Sequence, residues 1–169
     1  MIVVAYASKH GSTEGIARHI AARLADRDTP SAAMPAADIS DLAQADAVVL
    51  GSAIYAGSWM KEATEFVDRH EGALAELPVW LFSSGPLGDQ VADEEEQPRQ
   101  LEGIRERIAP RDHRVFSGAL DIAALGFGER MVVKAVKAPD GDYRDWDEIA
   151  AWADEIAESV ERHGRPPSR

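Results

Sequence analysis

Short runs of consecutive apolar residues alternate along this chain with longer stretches in which apolar positions recur every three or four residues. Ile2-Val3-Val4-Ala5-Tyr6-Ala7 is apolar throughout, as expected of a strand covered on both faces. Ile16, Ile20 and Leu24 follow at a spacing of four, widened by Ala17 and Ala21, and predict an amphipathic helix. Residues 31–37 read as a weaker strand, and Pro35 gives it an edge position. Ala47-Val48-Val49-Leu50-Gly51 is the next strand, with Met60, Ala63, Phe66 and Val67 marking the helix after it. Pro78-Val79-Trp80-Leu81-Phe82 precedes a helix carried by Leu101, Ile104 and Ile108, and Val115-Phe116-Ser117-Gly118-Ala119 forms a fifth strand. Residues 125–138 add an apolar segment predicted as helix. The last helix has Asp145 as N-cap with capping-box spacing to Glu148, and Trp146, Ile149, Ala153, Ile156 and Val160 on one face.

Strands alternating with helices imply right-handed crossovers and a parallel sheet between two helical layers. This α/β three-layer sandwich is expected to occupy residues 1–163, with 164–169 as a disordered tail. A chain of 169 residues is long enough to bury a core without disulfides or structural metal. The absence of cysteine excludes thiolate zinc sites, iron–sulfur clusters and a cysteine nucleophile. The net charge of −12 argues against sequence-blind nucleic-acid binding and against docking on anionic lipid. No apolar run reaches the roughly 18 residues of a membrane span. Because Met1-Ile2-Val3-Val4 opens directly as a strand, with no basic segment before it, the expected location is the cytoplasm.

Open parallel sheets bind ligands beyond the carboxyl ends of their strands. Three such ends carry chemistry here. The first reads Ser8, Lys9, His10, Gly11, Ser12, Thr13 and runs straight into a helix. Unpaired amides at a helix start stabilise a phosphate, Gly11 lets the backbone curl around it, and the hydroxyls add donors. Lys9 is an optional counter-charge. The loop matches neither the Gly-x-x-x-x-Gly-Lys-Ser/Thr nor the Gly-x-Gly-x-x-Gly pattern. The second end, Ser52, Ala53, Ile54, Tyr55, Ala56 and Gly57, reads as a loop of small residues that a flat ligand can approach, with Tyr55 offering a ring face. Trp59 beyond it reads as packing. The third, Ser83, Ser84, Gly85, Pro86, Leu87, Gly88 and Asp89, supplies hydroxyls, glycines and a turn-fixing proline. Of the histidines, His10 alone falls at a predicted site; His19, His70, His113 and His163 read as surface residues on helices or element ends.

With these residues in place, the sequence resembles the flavodoxin superfamily, residues 8–13 being a variant of its Ser/Thr-x-Thr-Gly-x-Thr phosphate motif. Within it the resemblance is closest to the flavodoxin-type menaquinone-dependent protoporphyrinogen oxidases. It is carried by Ser8, Gly11 and Thr13 with Ile16-Ala17, residues 51–57, Phe66-Val67, residues 117–120, residues 129–134 and Asp145-Trp146. The resemblance implies a five-stranded sheet in the order 2-1-3-4-5 and FMN bound non-covalently. Residues 8–13 would hold the phosphate, and residues 52–57 and 83–89 would flank the isoalloxazine. A deazaflavin relative is the alternative cofactor. The implied function is an FMN oxidoreductase whose acceptor is a quinone or another small organic molecule. The alternative is an electron carrier to a basic redox protein, which the acidic balance would steer toward it. Asp89, Asp93, Glu94, Glu95 and Glu96 depart from the oxidases' basic pattern, and an acidic rim repels both porphyrinogen carboxylates and an anionic membrane. A signalling receiver domain of the same sheet order would need acidic residues after the first strand, where this chain has Ser8-Lys9.

Overall fold

The structure is a computed structural model that describes residues 1–85, 98–135 and 140–164. Five parallel strands form the central sheet: β1 (Ile2–Ala7), β2 (Ser31–Pro35), β3 (Ala47–Tyr55), β5 (Val79–Ser84) and β6 (Asp112–Phe116). Their order is β2-β1-β3-β5-β6, which is 2-1-3-4-5 among the main strands, as expected. The short strand β4 (Ser58–Trp59) folds back antiparallel on β3.

The uninterrupted apolar runs are explained by coverage of both faces. Along β1, Ile2, Val4 and Tyr6 join one core, while Val3, Ala5 and Ala7 join the other. The first core is closed by α1 (Ser12–Asp26) and α5 (Trp146–Gly164) through Ile16, Ile20, Leu24, Ile149, Trp152 and Ile156. The second is closed by α2 (Lys61–Glu76) and α3 (Gln100–Ile108) through Phe66, Val67, Leu74, Leu101, Ile104 and Ile108. Asp145 caps α5 as its sequence spacing predicts, its Oδ1 accepting from the amides of Asp147 at 3.1 Å and Glu148 at 3.0 Å. Across the surface, Arg23 of α1 donates two 2.8 Å hydrogen bonds to Asp154 of α5.

Three expectations about element ends need correction. Strand β3 does not stop at Gly51; it continues to Tyr55, and its hairpin turn is confined to Ala56 and Gly57. Both turn residues have positive φ, 50° and 72°, the backbone a tight two-residue hairpin requires. Ser52, Ala53, Ile54 and Tyr55 are therefore strand residues, not loop. Strand β5 likewise runs through Ser83 and Ser84, which pair with Ser52 and Ala53 of β3. The fifth main strand begins earlier than its apolar residues indicate, at Asp112, and ends at Phe116. Ala119–Leu120 forms a separate strand, β7, antiparallel to β8 (Gly141–Asp142). Between them lies α4 (Phe127–Ala135), the helix predicted for residues 125–138. In chain order this β7–α4–β8 excursion is inserted between β6 and α5. Among the described residues, no helix is long and apolar enough to cross a membrane.

Candidate functional site

The carboxyl ends of β1, β3 and β5 lie side by side in register, Ala7 beside Ser52 and Ser52 beside Ser83. The three predicted strand ends therefore meet at one edge of the sheet, at least through Gly85. Pro86, Leu87, Gly88 and Asp89, with Asp93, Glu94, Glu95 and Glu96, lie outside the described residues.

At the first end, Gly11 has φ +85° and would have no neighbour within 4 Å of an added Cβ. Its left-handed backbone begins α1, so the first-turn amides face the loop with no partner in the helix. Thr13 is almost fully buried, and its Oγ1 has no hydrogen-bond partner. A buried hydroxyl without a partner is costly in a native fold, and an acceptor placed over the helix start would satisfy it. The other two hydroxyls already have structural partners. Ser8 Oγ accepts from the Gly11 amide at 3.1 Å, closing the loop, and Ser12 Oγ accepts from the Ala119 amide at 2.8 Å, tying α1 to β7. Each keeps its own O–H for a ligand.

Lys9 and His10 are exposed and turn toward α4. Glu129 of α4 forms an ion pair with Lys9 and lies 3.4 Å from His10 Nε2, while its other oxygen accepts from the Gly126 amide at 3.2 Å. The hydrogen bond from Lys9, helped by that amide, holds the Glu129 carboxyl below the usual carboxylate range. The Lys9 ammonium also sits 4.5 Å from the centre of the Tyr55 ring. Tyr55 is half exposed, presenting a ring face beside the first loop.

Several residues around the second and third strand ends have structural work. Gly51 makes room for the Phe82 ring, whose atoms would lie 2.0 to 2.5 Å from an added Cβ. Gly85 avoids Ile54 in the same way, at 2.9 Å. Ser52 is fully buried, its Oγ accepting from the Met60 amide and donating to the Ala53 carbonyl, both at 2.9 Å. Trp59 is packing, as its sequence context suggests, and its Nε1 donates to Ser83 Oγ at 2.8 Å.

The histidine reading also needs correction. His70 is buried, hydrogen-bonded to the Ile39 carbonyl at 3.2 Å and stacked near Phe66. His19 packs against Trp146 with its Nε2 buried, and nothing is described of the His163 side chain. His113 is the largest departure. Its Nε2 lies 2.9 Å from Ser83 Oγ and its Nδ1 3.1 Å from Arg105. A guanidinium only donates, so Nδ1 accepts and Nε2–H donates to Ser83. Burial, with Arg105 alongside, pushes this imidazole down to about 4. Trp59, Ser83, His113 and Arg105 thus form one chain from the hairpin to the surface. Arg144, Glu129 and His113 carried no readable motif, because each also reaches a partner distant in sequence, Ser12, Lys9 and Ser83 respectively.

A cavity of about 450 Å³ adjoins the first loop on its β7–β8 side, lined by Gly11, Ser12, Leu120, Asp121, Asp142 and Arg144 among others. Arg144 is held by Asp142 through contacts of 2.8 and 2.7 Å and lies over the Trp146 ring at 4.5 Å. Among the described residues, those lining it include none of the second or third strand end.

The model of the flavodoxin domain family matches residues 3–147. The chain belongs to that family. No curated protein matches the sequence. A flavodoxin from the domain Archaea superposes with a TM-score of 0.65 at 16% identity, over 95% of this chain and 98% of that one. Oxidised flavodoxin 2 from Bacillus cereus gives 0.59 at 23%, over 96% and 98%. Rubredoxin oxygen:oxidoreductase from Desulfovibrio gigas gives 0.66 at 15%, over 95% of this chain but only 36% of the larger protein. At these identities the structures share the fold. Membership in the flavodoxin domain family implies FMN as the cofactor and electron transfer as the general function. The first loop fits FMN's phosphate on three counts: the unpartnered Thr13 hydroxyl, the open left-handed Gly11 and the free amides of α1.

Proposed function

We propose that this flavodoxin-family chain is an FMN-dependent oxidoreductase of the kind resembling quinone-dependent protoporphyrinogen oxidases, passing electrons to a quinone or another small organic acceptor. Residues 8–13 would hold the phosphate, with Thr13 donating its buried hydroxyl and the α1 amides pointing at the anion. Tyr55 at the hairpin and Ser83, Ser84 and Gly85 at the end of β5 would lie beside the ring system. The observation that carries the reading is the buried Thr13 hydroxyl without a partner at the start of α1. The redox chemistry is supplied by FMN; the chain binds it, orients it and fixes the electrostatics around it. In support of a small acceptor, Phe127 and Met131 are strongly exposed on the α4 excursion, which meets the first loop through Glu129.

A second reading, an electron carrier to a basic redox protein, is favoured by the net charge of −12. Opposite charges would steer such an encounter, and salt would weaken it. The protein purified with FMN is reduced and mixed either with a water-soluble quinone or with a basic one-electron acceptor protein. Fast, salt-insensitive turnover with the quinone is the expected result. Electron transfer that occurs only with the protein and collapses as salt rises would replace the enzyme reading with the carrier. Failure of the purified chain to bind FMN would sink both.

A further inference from the structure

Glu129 is placed by the excursion rather than by any loop motif. It occupies the third position of α4, and its side chain reaches back to the Gly126 amide just before the helix. That half of a capping box orients the carboxylate. Its other oxygen takes the Lys9 ammonium, and His10 stands within reach of the same atom. Lys9 is the one lysine or arginine among residues 8–13.

We propose that Glu129 competes intramolecularly with the cofactor's phosphate for Lys9, and so sets how strongly this chain prefers FMN to riboflavin. The inference rests on the reading of residues 8–13 as the phosphate loop. A dianion over the start of α1 and a carboxylate anchored to α4 both favour contact with one ammonium. If the carboxylate stays, the ammonium is shared and gives less to the phosphate; if it yields, an ion pair is lost. Either way Glu129 weakens the binding of a phosphorylated ligand and leaves one without phosphate untouched. The excursion then responds to the cofactor, since phosphate that draws Lys9 away frees α4 from the loop.

Glu129→Gln tests this cleanly, because glutamine keeps the acceptor that caps α4 and removes only the charge. FMN and riboflavin are titrated separately into the apoprotein, following the quenching of flavin fluorescence, for wild type, Glu129→Gln, Lys9→Met and the double variant. The FMN-to-riboflavin affinity ratio is expected to rise roughly two- to fivefold in Glu129→Gln, the scale of one exposed ion pair. The gain should shrink in 1 M salt. In the Lys9→Met background the same substitution should leave the ratio unchanged. An unchanged or lower ratio in Glu129→Gln overturns the proposal. So does a rise that persists without Lys9, since Glu129 would then act on the phosphate directly. Equal affinity for both flavins in the wild type would instead remove the phosphate-loop reading beneath it.

Discussion

Thr13 is buried with a hydroxyl that has no protein partner, a cost that a ligand's acceptor would offset. Thr13→Val keeps the shape and removes the orphan. It is expected to leave the apoprotein's urea midpoint unchanged or raised, while FMN binding weakens by about 1.5–3 kcal/mol, the worth of a hydrogen bond to a charged group. Paired urea and flavin titrations check both halves. Gly11→Val is expected to fail for a different reason than crowding. An added Cβ meets nothing within the protein, yet φ is +85°, where a β-branched residue is strained. The left-handed backbone costs roughly 1–2 kcal/mol for a residue with a side chain. Both the denaturant midpoint and FMN affinity should fall; a variant equal to wild type in both would show that the loop relaxes freely. The make-up of the first loop was legible in the sequence because it is local: a glycine, hydroxyls and a helix start within six residues. The need for glycine at position 51 was not legible, because the ring that fills its space, Phe82, comes from a neighbouring strand.

At the scale of elements, α5 is fastened at its start by Asp145 and along its side by Asp154. Asp145→Ala removes the acceptor for two first-turn amides and should lower stability by about 1 kcal/mol in urea unfolding, with Asn at the same position restoring most of it. Helix positions were readable from period and cap alone. Strand ends were not. Ser52, Ala53, Ser83 and Ser84 are small or polar, so their side chains resemble loop. Their backbones are nevertheless paired to neighbouring strands, and that pairing is what makes them strand. Asp112, His113 and Arg114 were missed for the related reason that β6, at the edge, needs few apolar side chains on its outer positions.

For the whole molecule, the Trp59–Ser83–His113–Arg105 chain links a hairpin, two strands and a helix, and it predicts a pH dependence. Above pH 6.5 the imidazole is neutral in both folded and unfolded chains. Below that value the unfolded chain takes up a proton that folded His113 resists down to about 4. Stability contributed by the neutral ring is therefore lost as pH falls across that interval, and no more is lost below it. Urea unfolding at pH 7 and pH 5 should show a larger loss for wild type than for His113→Gln; equal losses would mean the ring titrates as if free. The acidic balance carries one further expectation. Surrounding carboxylates disfavour added negative charge, so the bound FMN should have a two-electron potential below that of free FMN in a redox titration.

The order of elements, the parallel sheet and its two helical layers follow from the sequence alone. Apolar runs without polar breaks fit only strands covered on both faces, and amphipathic stretches between them fit only the covering helices. The local pattern of the first loop, a glycine and hydroxyls at a helix start, follows too. What only the tertiary structure decided is which side chains those patterns bring together. Glu129 meets Lys9, His113 enters the Ser83 chain, and Arg144 is set beside α1, each through packing between segments far apart along the chain. No local pattern encodes such contacts, because their partners are chosen by the sheet's order and by where the β7–α4–β8 excursion comes to rest.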